Sequence, residues 1–360
     1  MRIGKYKDKR GMWNMENMNE IFGLFEEEFG EVAGLTKLCS DLTGKKICII
    51  GGNGTGKSTQ IANLKNYGYT PIFLPLEAGL NAISGVITLA SNSYSDLKKN
   101  VKKLTSKKFM DKIMPNKPII VYDGIENLTR LAETYVCSSL GIEKIKDYNG
   151  GYGAWKELSE AIRDITIPII NSSYTVCFIG HPKEVKKDRK GKEVFLDIDG
   201  DNRLTKVLKD NCDFILYVEN NGIDEEGNEL LSTAYSKETE DFFARSRFTH
   251  FPFAMEFTAE NLLKNLEEAV KLQSDSEEEF TTYEDQQKVY GEDNEETFED
   301  ILESVKQMLG NIEPDSKLEE QAFDLLDKTF GSEVNLSDLT FKNKEALLVF
   351  RDEIEELLNR

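Results

Sequence analysis

The sequence predicts an α/β fold in which a mainly parallel sheet is flanked by helices, followed by a small all-α C-terminal unit. Three observations predict it. Five short apolar runs, Lys46–Ile50, Thr70–Leu74, Ile119–Asp123, Thr175–Ile179 and Asp213–Val218, alternate with helix-length segments such as Lys57–Tyr67 and Trp155–Ile165. The first run leads directly into a glycine-rich loop and then a helix. From Phe298 onward apolar residues recur only at helical spacing.

Before the first strand, residues 13–34 place Met18, Ile21, Phe22, Leu24, Phe25, Phe29 and Val32 among many glutamates, which suits an amphipathic helix. Residues 1–44 are therefore expected to form an N-terminal helical extension. The sheet domain is expected over 45–273. Late in it, Gly and Asn/Asp clusters around Asp188–Gly191 and Asn220–Gly227 separate alternating runs, so two hairpins should decorate the sheet edge. Residues 274–297 form an acidic linker poor in apolar residues, expected to be solvated. In 298–360, the stripe Phe298, Ile301, Leu302, Val305, Met308, Leu309 and Ile312, with similar stripes in Leu318–Phe330 and Ala346–Leu358, predicts a three-helix unit.

Charge follows the same division. Residues 274–360 hold 26 acidic and 8 basic side chains, whereas residues 1–273 hold 39 and 37. The net charge of −20 is thus a C-terminal property, and the near-neutral body does not exclude a nucleic-acid partner. Five scattered cysteines, Cys39, Cys48, Cys137, Cys177 and Cys212, and only two histidines suggest neither a disulfide framework nor a zinc site. No run approaches the roughly 18 apolar residues of a membrane span, so no membrane partner is expected and the expected location is the cytoplasm.

The chemistry concentrates at Gly51–Thr59. Gly51, Gly56, Lys57 and Ser58 satisfy G-x-x-x-x-G-K-[ST] in the segment Gly51, Gly52, Asn53, Gly54, Thr55, Gly56, Lys57, Ser58, Thr59. Its backbone N–H groups can curl around phosphates, Lys57 can reach the terminal phosphates, and the Ser58 hydroxyl suits Mg2+. The strand before and the helix after are the context this loop requires. A second metal anchor is expected from an acid ending a buried strand, and Asp123 after Ile119–Tyr122 supplies one, though a turn or helix-cap role fits the same position. A carboxylate is also needed to polarise the attacking water, and Glu77 and Glu126 are the candidates.

The series GGNGTGKST, PLEAG, IVYDGIENL, GGYGAWKELSEAI, VCFIGHPKE and ARSRF, in this order across about residues 45–270, resembles the phage RecA-like, AAA-type nucleotide-binding proteins linked to single-strand annealing recombination. The resemblance implies a RecA-like P-loop NTPase core and an ATPase that uses ATP and Mg2+ in phage or prophage DNA recombination or replication, in the cytoplasm of a bacterial host. It favours Glu77 over Glu126 as the base, because such ATPases end the strand next to the P-loop strand with a catalytic glutamate. It makes His181 a sensor of the γ-phosphate. It makes Arg247 or Arg245 a donor to the ATP of an adjacent subunit, hence a homo-oligomer. From the residues alone, His181 is equally a satisfied strand-end histidine, and a surface arginine is equally an ion-paired side chain.

Six bases, Lys183, Lys186, Lys187, Arg189, Lys190 and Lys192, directly follow His181. They suit single-stranded DNA or simply a solvated hairpin tip. Tyr148, Tyr152 and Trp155 either stack on bases or pack in the core. The acidic region can compete with DNA, recruit a single-strand-binding or annealing protein, or only confer solubility. Two other readings of the nucleotide site remain: a small-molecule kinase, with the basic run as lid, or a nucleotide-gated scaffold recruiting partners through the C-terminal helices.

Overall fold

A computed structural model describes residues 15–29, 37–186, 194–273, 281, 283, 298–314, 316–331 and 334–358 of the 360-residue chain. The chain separates into two compact units, 1–289 and 290–360. In the first unit the strands are β1 (Lys46–Gly51), β2 (Thr70–Pro75), β3 (Ile87–Thr88), β4 (Pro118–Asp123), β5 (Thr175–Gly180), β6 (Pro182–Lys186), β7 (Val194–Ile198), β8 (Phe214–Glu219), β9 (Thr233–Tyr235), β10 (Arg245–Ser246) and β11 (Ala254–Glu256). Its helices are α1 (Met15–Phe29), α2 (Lys57–Asn63), α3 (Tyr94–Leu104), α4 (Lys107–Ile113), α5 (Glu126–Leu140), α6 (Ala154–Ile170), α7 (Asn202–Asn211) and α8 (Ala259–Gln273).

The five apolar runs are β1, β2, β4, β5 and β8, and all of them lie parallel in one mixed sheet of order β11-β9-β8-β1-β5-β4-β2-β3. Each run is apolar without alternation because both faces are covered. In β1, Cys48 and Ile50 enter one core with Tyr122 and Phe178, while Ile47 and Ile49 enter the other with Val121 and Leu216. The first core is closed mainly by α3, α5, α6 and α7 and the second by α2 and α8. The strand order inserts β5 between the P-loop strand β1 and the Asp123 strand β4. All five C-terminal strand ends therefore open on the same side, where ligands of open α/β sheets bind.

At the opposite, starting end of the strands, the chain is cross-tied. Lys46 Nζ donates to the Ser172 and Tyr174 carbonyls, its backbone N–H to Asp213 Oδ2, and burial lowers its ammonium to about 8. All five cysteines are buried and none is joined in a disulfide.

The two hairpins behave differently. β8 and β9 pair antiparallel, so the 220–232 excursion extends the main sheet. β6 and β7 instead form a two-stranded sheet of their own rather than decorating the edge of the main one. The tip of that hairpin, including Lys187, Arg189, Lys190 and Lys192, lies outside the described residues.

The acidic segment is not solvated throughout. Thr281 N–H donates to the Leu38 carbonyl, and Tyr283, 8% exposed, covers the backbone at Gly44 just ahead of β1. Tyr283→Ala should therefore lower stability by about 2 to 3 kcal/mol, read as an earlier urea unfolding midpoint. An unchanged midpoint would mean that the contact is incidental.

The second unit packs α9 (Phe298–Gly310), α10 (Lys317–Phe330) and α11 (Lys344–Leu358) around Ile301, Val305, Ala322, Leu347, Phe350 and Ile354. Ser316 caps α10 by accepting the Glu319 N–H at 3.1 Å. Among the described residues no helix is long and apolar enough to cross a membrane.

Candidate functional site

The loop after β1 turns sharply because Gly54 (φ 76°) and Gly56 (φ 77°) adopt left-handed backbone angles that a side chain would strain. Gly56 precedes α2 and no side chain caps that helix, so the N–H groups of its first turn face an open cleft. The cleft has a volume of about 470 Å3. Lys57 Nζ lies within it, donating to the carbonyls of Gly51 (2.7 Å) and Gly52 (2.8 Å). Burial lowers the Lys57 ammonium, while Glu126, Glu77 and Asp123 act in the opposite sense. The loop thus offers backbone donors and a buried cation, and the carboxylates of Glu126, Glu77 and Asp123 lie near enough to act on that cation.

Asp123 ends β4 and is only 1% exposed. Ser58 Oγ donates to its Oδ1 at 2.9 Å. Its Oδ2 is buried without a hydrogen-bond partner among the described residues. Burial raises the Asp123 carboxyl to about 6, partly countered by the Ser58 hydrogen bond and reinforced by the nearby Glu77. A buried, unpartnered carboxylate oxygen beside a helix-start hydroxyl fits a hard divalent cation such as Mg2+. The turn-residue alternative leaves that oxygen unexplained.

Glu77 follows β2, which is separated from the P-loop strand β1 by β5 and β4 rather than lying next to it as the resemblance implied, yet Glu77 still lines the cleft. Among the described residues no hydrogen bond holds its carboxylate, so it is available to a water. Glu126, at the start of α5, is engaged: its Oε1 accepts the His181 backbone N–H and lies 3.1 Å from His181 Nδ1. His181 follows β5, and its Nε2 is 2.8 Å from Asn53 Oδ1 of the P-loop. Single ligand atoms of Glu77, Glu126 and His181 lie within 4.8 Å of one another.

The structure therefore brings Gly51–Thr59, Asp123, Glu77 and His181 together, and it does not bring Arg245 and Arg247 to them. β10 pairs with the first residues of β8, at the far end of the strands. Arg245 donates to the Cys212 carbonyl (2.9 Å), and Arg247 to Asp213 Oδ1 (3.2 Å) and the Asp210 carbonyl (2.7 Å). Both fasten β10 to the start of β8.

Lys183 Nζ bonds the Gly200 carbonyl. Tyr152 is 83% exposed, and Trp155 lies under the Arg203 guanidinium at 4.6 Å, so neither packs in the core.

Sequence reasoning missed two parts of the site. One is the Asn53–His181–Glu126 chain, which joins residues 128 and 55 positions apart and leaves no local pattern. The other is the wall that Leu230 and Leu231 add to the cleft from the β8–β9 excursion. An apolar pair directly after a polar turn was the available signal for it.

Residues 43–248 match the AAA domain family. A relative, the SPbeta prophage-derived uncharacterized protein YorG of Bacillus subtilis (strain 168), is 35% identical over 318 residues, covering 88% of this chain and 94% of its own length. Among solved structures, a prototypical ATPase from the type III secretion system of pathogenic bacteria gives a TM-score of 0.32 at 13% identity, covering 86% of this chain and 80% of that one. The RadB recombinase gives 0.31 at 12% identity, covering 59% and 84%. Both structural likenesses are loose. The family match spans more than half of the chain and the relative nearly all of it, so this protein belongs to the AAA domain family.

Proposed function

We propose that this protein hydrolyses ATP with Mg2+ and that single-stranded DNA, bound through the Lys183–Lys192 segment, regulates the hydrolysis. The observation that carries this reading is the grouping of Lys57, the Ser58–Asp123 pair and the unbonded Glu77 around one cleft. Triphosphate oxygens replace the Gly51 and Gly52 carbonyls as partners of Lys57, and the loop N–H groups take the remaining charge. Ser58 and Asp123 would hold Mg2+, which supplies neutralisation of charge on the β- and γ-phosphates. Glu77 accepts a proton as water attacks the γ-phosphorus and the bond to the β-phosphate oxygen breaks, leaving ADP and phosphate.

The prophage origin of the relative favours phage or prophage DNA recombination or replication, in a bacterial cytoplasm. Lys183 at the base of a hairpin that starts directly after His181 gives DNA a path to the phosphates. A role for Arg247 or Arg245 is confined to the nucleotide of a neighbouring copy in a homo-oligomer, and Arg247 must leave Asp213 to play it. The acidic segment and the three-helix unit are the region for a single-strand-binding or annealing partner.

The test is steady-state ATP hydrolysis with and without single-stranded DNA, alongside Lys57→Ala. Hydrolysis should fall at least about 100-fold in the variant. Stimulation by DNA should weaken steeply with salt. If DNA changes neither rate nor assembly state, the DNA reading fails, and phosphate transfer to a nucleoside would replace it with a kinase.

A further inference from the structure

His181 is held from three directions. Its backbone N–H and Nδ1 meet Glu126 Oε1, its Nε2 meets Asn53 of the P-loop, and its carbonyl accepts the Asp199 N–H at 2.9 Å from beyond β7. A carboxylate only accepts, so Nδ1 carries a hydrogen. Nε2 then donates to the Asn53 amide oxygen as imidazolium or accepts from the amide nitrogen as neutral ring, and either way the contact closes. The approach of Glu126 depends on Gly180: a Cβ there would lie 2.5 Å from Ile125 Cγ1 and 3.0 Å from Glu126 Oε1.

The next residue, Pro182, begins β6. Among the described residues β6 pairs only with β7. β7 is anchored more widely, since the Leu196 N–H donates to the Asp241 carbonyl and the Leu196 carbonyl accepts the Phe243 N–H. Lys209 also reaches Asp197 at 2.7 Å. Beyond its pairing with β7, β6 is tied only by the Lys183 contact to the Gly200 carbonyl among the described residues, so it is the limb able to follow His181. Asn53 and His181 both line the cleft that holds Lys57 and Ser58.

We propose that Glu126 is a positioning residue that presents His181 to Asn53, and that this Glu126–His181–Asn53 chain is a latch fastening β6 to the P-loop, opened when a γ-phosphate competes for His181 Nε2. The proposal rests on the nucleotide-binding reading above and adds to it the means by which the hairpin is released. Glu126 acts through His181 rather than on the water. Asn53 acts as the catch.

The experiment is amide hydrogen exchange of residues 183–186, measured on the full chain with Mg2+ and either the β,γ-imido analogue of ATP or ADP. In the unmodified protein the analogue should raise exchange about five-fold, the worth of roughly one hydrogen bond, and ADP should not. Asn53→Ala should show the faster exchange without nucleotide and no further rise with the analogue. Glu126→Gln, which still accepts the His181 backbone N–H, should fall between the unmodified protein and Glu126→Ala, whereas a purely structural role would lower the unfolding temperature without this graded response. Equal exchange in Asn53→Ala and the unmodified protein without nucleotide overturns the latch. Equal effects of ADP and the analogue overturn the γ-phosphate trigger. Binding of the analogue is followed separately by calorimetry, so its failure tells against the nucleotide site while the nucleotide-free comparison still decides the latch.

Discussion

Asp123→Asn should make the nucleotide-free protein more heat-stable near pH 7.5 while removing Mg2+-dependent hydrolysis. The native carboxyl is raised to about 6 from 3.8 by burial, so its contribution to stability is full below about pH 4 and is lost as pH rises through 6. Above that, the fold carries a buried charge with one oxygen unbonded, at a cost on the order of 2 to 3 kcal/mol. Asparagine keeps an acceptor for Ser58 and removes the charge, so the unfolding temperature should rise by about 4 to 8 °C. The same linkage makes Mg2+–nucleotide affinity fall as pH drops through 6, because a proton and the cation compete for one carboxylate. Thermal scans and Mg2+ titrations at pH 5, 6 and 8 check both. A lower unfolding temperature in the variant, or undiminished turnover, would contradict the assignment.

Glu77→Gln should lower kcat about 100- to 1,000-fold and leave nucleotide affinity within about two-fold. The carboxylate is not tied to any described protein group, so its loss disturbs no hydrogen bond. Glu126→Gln is the control, expected to lose no more than about ten-fold because that side chain acts through His181. Single-turnover hydrolysis with direct nucleotide titration separates the two. Were Glu126→Gln the more damaging change, the roles of the two glutamates would be exchanged.

The parallel core was legible because each of its strands is buried on both faces. Continuous apolar runs such as Lys46–Ile50 and Ile119–Asp123 have no other common origin at that length between helical segments. The phosphate loop was legible because its demands are local, a tight turn and a cation within one short segment. Residues united only by the sheet were less so. Glu126 stands in the sequence as a spare candidate for the base, and its bond to His181 exists because β4 and β5 are neighbours in space. The resemblance assigns Arg245 and Arg247 to the nucleotide of an adjacent subunit, a role that no local pattern carries; within this chain β10 runs antiparallel along the start of β8 and holds both at the end of the strands away from the P-loop. Tyr283 sits in so acidic a context that nothing adjacent marks it as a contact residue.

The outer margins of the main sheet bear on how copies of this chain associate. On one side β3 is two residues long, and on the other β11 is three. Rows of backbone donors and acceptors this short cannot recruit a strand from another molecule, which guards against fibre-like stacking. Along these two margins of the main sheet, contacts between copies would be made through side chains, and their strength would track ionic conditions and surface substitutions rather than backbone complementarity.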